Sequence, residues 1–349
     1  MEPKKFPIAK LFQKQSWFAG IDSLRFVLAL IVVLGHCTIP MAKRLKESNI
    51  PIEKHLGQFM GVLFNGPAAV IAFFVISGFV IHYPNKNGIK SLSDFYVRRF
   101  VRILIPLIAI AILGSFFNNP HKAIVWSLYC ELVYYAIYPV IYKIKATWNQ
   151  KILCSFFLAL TCICIGSPHS IESMVCQSDI NYDGRYNELG YYYTWIVGLP
   201  CWLLGVKLAN EIDNFIYRPS ELRIWTMRIF IFALSSFTLI LRFHFFISDL
   251  INLTLLSIPL YHWINMEIKY YKTKVPMQML ERMGKFSYSL YLSHPLLLVI
   301  LYENIPLTDA TYFVYLTIII ISSYIFYLLF ERPSHLFAKK MVGSKAKVS

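Results

Sequence analysis

The sequence predicts an all-α polytopic integral membrane protein, a helical bundle of about ten transmembrane helices with both termini cytoplasmic. Three observations predict it. Hydrophobic residues make up 57% of the chain and charged residues 15%, and the mean hydropathy is +0.52, more apolar than a soluble chain of 349 residues needs for its core. Apolar runs of span-like length recur from about residue 21 to residue 330, too many for a single anchor. Lysine and arginine gather in every second gap between those runs. The positive-inside rule produces that pattern when an even number of spans returns the chain to its starting side.

The first run, Gly20 to Met41, is too long for a signal-peptide core, and no small-residue cleavage site follows it, so it reads as a retained span. Its stretch GIDSLRFVLALIVVLGHCTIP holds Arg25 and His36, eleven positions apart. That is close to three helical turns, which puts both on one face, roughly 16 Å apart along the axis. A charge and an imidazole inside a span are functional by default. The second run, about 66 to 83, ends in FFVISGFVIHYP, where Ser77-Gly78 lets a helix or a ligand approach closely. The third, about 100 to 117, follows FYVRRFVRILIP. Arg102 lies one turn from Arg98 and Arg99, and guanidinium forks in one patch suit phosphate oxygens. Arginines at a cytoplasmic helix entrance also follow from topology and anionic lipids alone.

The fourth run, about 125 to 142, opens with WSLYCELVYYAIYP, whose Ser127, Glu131 and Tyr135 fall on one helix face. A carboxylate within a span is paired, protonated or functional. The depth of Glu131 from the outer face resembles that of His36, so an imidazole held in one tautomer by a carboxylate is the expected pairing; a structural buried pair is the other reading. Runs at about 152 to 166, 193 to 209, 225 to 243 and 246 to 266 continue the bundle. The ninth, about 286 to 303, opens with GKFSYSLYLSHP, in which His294 before Pro295 reads equally as a site residue or a hydrogen-bonded core histidine. The tenth, about 312 to 330, precedes Glu331-Arg332-Pro333.

Between the runs, the outer segment from Ser167 to about Tyr193 is rich in tyrosines, Tyr182, Tyr186, Tyr191, Tyr192 and Tyr193. These fit sugar stacking or an interfacial aromatic belt. Segments 1–19 and 332–349 read as basic cytoplasmic tails, and the whole of 1–349 as one membrane domain with no appended extracytoplasmic domain. The formal charge of +15 does not indicate nucleic acid, because no compact basic domain or RNA-reading motif accompanies it. Seven cysteines fall mostly within apolar runs without metal-ligand spacing, so they read as packing residues and no metal is expected.

Taken in order, these stretches resemble the membrane-bound acyltransferase-3 family, O-acyltransferases of bacterial surface polysaccharides and other sugars. The resemblance rests on Asp22-x-Leu24-Arg25 with His36, Phe73-Phe74-x-x-Ser77-Gly78-Phe79, and Arg98-Arg99-x-x-Arg102-Ile103-x-x-Pro106. It continues through Trp126-Ser127-Leu128-x-x-Glu131, Phe286-Ser287-Tyr288-x-x-Tyr291-Leu292-x-His294-Pro295 and Glu331-Arg332-Pro333. The resemblance implies an acyl-CoA co-substrate, most often acetyl-CoA, with no bound cofactor, and a carbohydrate hydroxyl as acceptor at the outer side of a bacterial inner membrane. Its arginine-to-histidine motif maps onto Arg25 and His36, its paired arginines onto Arg98, Arg99 and Arg102, and its serine-to-glutamate motif onto Ser127 and Glu131; the expected roles are catalysis by His36 with Glu131 and Arg25, and CoA phosphates on the three arginines. Asp22, Ser77, Gly78, Tyr135 and His294 complete the candidate substrate site. Acyl-CoA, a glycan, the bilayer and proteins of glycan assembly are the expected partners. A transporter or flippase, with the same polar groups as a substrate or proton pathway, and a non-catalytic membrane scaffold are the rival readings.

Overall fold

A computed structural model describes residues 18–117, 122–178, 182–214 and 218–345. The expected N-terminal tail lies almost wholly outside them. Among the described residues there are helices and no strands, and each of the ten apolar runs falls on a helix. Helix α1 (Ile21–His36) is followed by a short hairpin, α2 (Pro40–Lys46) and α3 (Pro51–Gly61), then by α4 (Gly66–His82), α5 (Leu92–Ser115), α6 (Lys122–Lys143) and α7 (Trp148–Gly166). After α8 (Pro168–Cys176) come α9 (Tyr191–Glu211), α10 (Glu221–Phe245), α11 (Asp249–Tyr271) and the short α12 (Gln278–Gly284). The chain closes with α13 (Ser287–Asn304), α14 (Tyr312–Phe326), a π-helical turn at Tyr327–Glu331, and α15 (Arg332–Lys345). The C-terminal tail expected after residue 331 is therefore helical through Lys345.

By length and apolar composition, four helical stretches could cross a membrane: Pro51–Asn85, Trp148–Gly166, Glu221–Phe245 and Tyr312–Val342. The pair α1 and α2, bent by 44°, makes a fifth. The chain is a multi-pass membrane protein, but ten spans and the cytoplasmic termini are not established by that measure. The other long helices carry polar groups in mid-run, such as Arg98, Arg99 and Arg102 in α5, Glu131 in α6 and His294 in α13. Their apolarity is lowered where the candidate site lies.

The centre of the bundle is α4, buried along most of its length and packed on α1, α9 and α11. Its contact with α9 is a reciprocal glycine crossing. A Cβ on Gly78 would overlap the carbonyl oxygen of Trp202, and one on Gly205 would overlap that of Val75. Two small residues thus bring two backbones together, the device by which membrane helices gain packing when lipid supplies no hydrophobic drive. The periphery is the reverse. In α7 and α10, Leu153, Phe157, Leu222, Ile229 and Phe230 are exposed, as suits sides turned to hydrocarbon. Mid-helix prolines, Pro106, Pro139, Pro200, Pro259 and Pro295, are tolerated because neighbouring groups can satisfy the carbonyls they free.

Candidate functional site

The site is built on the entry to α1. Glu281 of α12 accepts from the backbone N–H groups of Gly20 and Ser23, both at 3.0 Å, and from Ser23 Oγ at 2.6 Å. A carboxylate on the first N–H groups of a helix satisfies otherwise orphaned donors and complements the helix dipole. So fixed, the first turn pairs Asp22 with Arg25 at 3.6 Å. Beside it, α5 supplies Arg98, Arg99 and Arg102 to a cavity of about 750 Å³. Its wall carries six cationic side chains, with Lys90 and Lys339 joining these arginines and Arg25, against the two carboxylates of Asp22 and Asp94. This vestibule favours an anionic occupant.

Arg25, Val80, Arg99 and Arg102 also line a second, smaller cavity of about 140 Å³. Ser77 comes to it from α4, Ser127, Glu131 and Tyr135 from α6, and Ser287, Tyr288 and Tyr291 from α13. Ser77 Oγ donates to Glu131 at 2.8 Å, the Tyr135 hydroxyl donates to the same carboxylate oxygen, and Trp202 Nε1 donates to Ser77 Oγ at 3.3 Å. Ser127 Oγ lies 2.6 Å from the Tyr291 hydroxyl. Two polar atoms of this wall, Arg99 Nε and Ser287 Oγ, are buried with no protein partner.

The smaller cavity also contains two residues to which sequence reasoning gave no role. Glu331 closes the π-turn and accepts from the backbone N–H and hydroxyl of Ser289 at 3.1 and 2.6 Å. His335, one turn on, accepts from Arg102 Nε at 2.8 Å, with Glu331 Oε1 3.7 Å away. The signal was present in outline: a carboxylate and a histidine four apart at the end of the last apolar run. What hid them was the π-turn, which adds a residue to the register; such turns often mark functional positions.

The two ends of the expected catalytic pair stand apart in their bonding. His36, at the last turn of α1, does not line the cavity that holds Glu131. Its Nδ1 lies 2.8 Å from the Val32 carbonyl and 3.3 Å from Nε2 of His294. Glu131 bonds instead to Ser77 and Tyr135. The carboxylate-to-imidazole hydrogen bond expected from helix depth is not made, and the neighbour that His36 has is another imidazole. The route between them runs along α13, where Tyr291 faces Ser127 and the Tyr291 and His294 rings are 6.0 Å apart. Of the remaining candidates, Asp22 and Arg98 line the vestibule, and Gly78 serves the helix crossing and lies outside both linings.

The tyrosine-rich outer segment divides by environment. Tyr186 is buried and its ring lies 5.4 Å from that of Trp126, whereas Tyr192 and Tyr193 are exposed. Nearby, Glu188 accepts from Ser167 and Ser170, and burial raises its pKa above the usual carboxylate value. All seven cysteines are free thiols, Cys37, Cys130 and Cys201 being buried. Among the described residues no group of three or more His, Cys, Asp or Glu is placed to hold a metal ion.

No curated protein and no solved structure matches the chain. The model of the acyltransferase-3 family, described as an acyltransferase domain, matches residues 18–332, a range that takes in the His36 to His294 pair and the walls of both cavities except His335 and Lys339. With helices of spanning length around a charged internal cavity, the chain belongs to the acyltransferase-3 family of membrane acyltransferases.

Proposed function

We propose that the protein is an O-acyltransferase of a bacterial inner membrane that moves an acetyl group from acetyl-CoA to a hydroxyl of a cell-surface or lipid-linked glycan. The observation that carries this reading is the pair of adjoining cavities, a large basic vestibule and a small chamber lined by hydroxyls and Glu131, with three arginines on their common wall. CoA has the same outline. Its phosphates suit Arg98, Arg99, Arg102 and Lys339, and its thin arm suits the narrow chamber beyond.

In this reading His36 is the general base. The acceptor hydroxyl gives its proton to the imidazole as its oxygen attacks the thioester carbonyl, forming the C–O bond. The tetrahedral centre then collapses with cleavage of the C–S bond, and the imidazolium returns the proton to the departing thiolate, so free CoA and the ester leave. Glu131 holds the hydroxyls of Ser77 and Tyr135 in place on the wall of the chamber that would receive the arm of the donor. In the same reading the donor enters from the cytoplasmic mouth and the acceptor meets it at the His36 end.

The test is turnover. Purified protein in nanodiscs, given radiolabelled acetyl-CoA, should release CoA only when an extract of surface glycans is present, and His36→Ala should abolish that release. Thioester loss that persists in His36→Ala would remove the histidine from the mechanism. Absence of CoA binding in a folded sample would remove the donor site.

A further inference from the structure

The contact between His36 and His294 has only one consistent assignment of protons. Pro295 has no N–H, so the carbonyl four residues before it, that of Tyr291, loses its helical donor. His294 Nδ1 lies 2.7 Å from that same carbonyl oxygen and 3.2 Å from the Leu290 carbonyl. Carbonyls only accept, so Nδ1 of His294 carries the hydrogen, and in the neutral ring Nε2 is then a lone pair. That lone pair faces His36 Nδ1 at 3.3 Å. His36 Nδ1 is also 2.8 Å from the Val32 carbonyl, another acceptor. Two acceptors on one nitrogen require it to bear hydrogen. Nε2 of His36 is left as the free basic lone pair.

We propose that His294 is a positioning residue for the base: together with the Val32 carbonyl it holds His36 as the Nδ1–H tautomer and receives that hydrogen more strongly when Nε2 takes a proton. This rests on the acyl-transfer reading for its purpose, though the tautomer stands on geometry alone. It gives the pair the task that the sequence suggested for Glu131. An orienting carboxylate would fix the same tautomer with a full charge; a neutral imidazole does so in a setting where a buried charge is expensive. His294 is itself buried and held by its two carbonyls, so its lone pair is aimed before any substrate arrives. Pro295 is what frees one of those carbonyls. The His-Pro pair in the sequence is thus one unit, the proline opening an acceptor and the histidine filling it.

The experiment reads the tautomer and the chemistry separately. In full-length protein carrying ¹⁵N-labelled histidine in nanodiscs, the His36 signals, assigned by their loss in His36→Ala, should show a protonated Nδ1 and a bare Nε2. In His294→Phe the Nε2–H form of His36 should become populated, and in His294→Gln, whose amide oxygen can take the place of the Nε2 lone pair, it should not. With acetyl-CoA and acceptor, His294→Phe should lower kcat on the order of a hundredfold, at the low end of what general acid–base catalysis contributes, with KM for acetyl-CoA unchanged. His294→Gln should recover part of it. A wild-type His36 protonated at Nε2, or a His294→Phe protein with unaltered kcat, overturns the proposal. An inactive wild-type protein that still shows the Nδ1–H tautomer overturns the acyl-transfer reading and leaves the tautomer assignment in place.

Discussion

The imidazole of His335 takes the Nε–H of Arg102 at 2.8 Å, and the guanidinium so held belongs to the wall common to both cavities. A neutral ring serves here because it accepts without neutralising the arginine. Removing it should loosen Arg102 while leaving the charge. A hydrogen bond to a charged group is worth about 1.5–3 kcal/mol, so His335→Ala should raise KM for acetyl-CoA about tenfold or more, with kcat changed far less. Steady-state kinetics at varied donor concentration measure both.

The arginines of α5 should separate by position. Arg99 and Arg102 line both cavities, whereas Arg98 lines the vestibule alone and is exposed. Isothermal titration of CoA should find that Arg99→Ala or Arg102→Ala weakens binding more than tenfold, and Arg98→Ala only a few-fold, since exposed charge pairs contribute about 0–1 kcal/mol. Equal effects at the three positions would mean that the phosphates sit in the vestibule alone.

Ser77 and Gly78 are adjacent and should answer to different measurements. A methyl group on Gly78 meets the Trp202 carbonyl, and overpacking of this kind costs about 1–3 kcal/mol. Gly78→Ala should lower the melting temperature in detergent. Ser77→Ala leaves the crossing intact and removes a donor to Glu131, so it should lower turnover with little change in melting.

Glu188 supplies a pH signature at the outer loop. Burial raises its pKa in the folded protein, so the folded state holds that proton more tightly than the unfolded chain does. Its contribution to stability is present below the unfolded carboxylate pKa and is lost as pH rises through the folded value. Glu188→Gln, neutral throughout, should therefore gain in melting temperature relative to wild type as the pH is taken from 5 to 8. A difference that shrinks with rising pH would contradict the sign.

Much of this could be read from one strand of text because it lies along single helices. The i, i+4, i+8 rule put Ser127, Glu131 and Tyr135 on one face, and all three line the smaller cavity. The three-turn spacing of Arg25 and His36 holds within one unbroken α1. What depended on the packing of one helix against another was less legible. Similar depth in the bilayer suggested Glu131 for His36, yet depth says nothing about rotation, and the partner that the bundle supplies is 258 residues away on α13. Glu331, quoted only within the closing motif, and His335 were given no role for a related reason. Helical periodicity counts 3.6 residues per turn, and a π-turn breaks the count where it matters.

The shared wall of Arg25, Arg99 and Arg102 has a bearing on the membrane itself. A water-lined recess that reaches inward from one face is a hazard to a cell that stores energy as an ion gradient, because it thins the barrier to protons and alkali cations. Three guanidiniums on the wall shared by the two cavities set an electrostatic barrier against such ions, as fixed arginines do in selective pores. In the acyl-transfer reading, the same charges that would welcome an anionic donor would also hold cations out of the recess between turnovers.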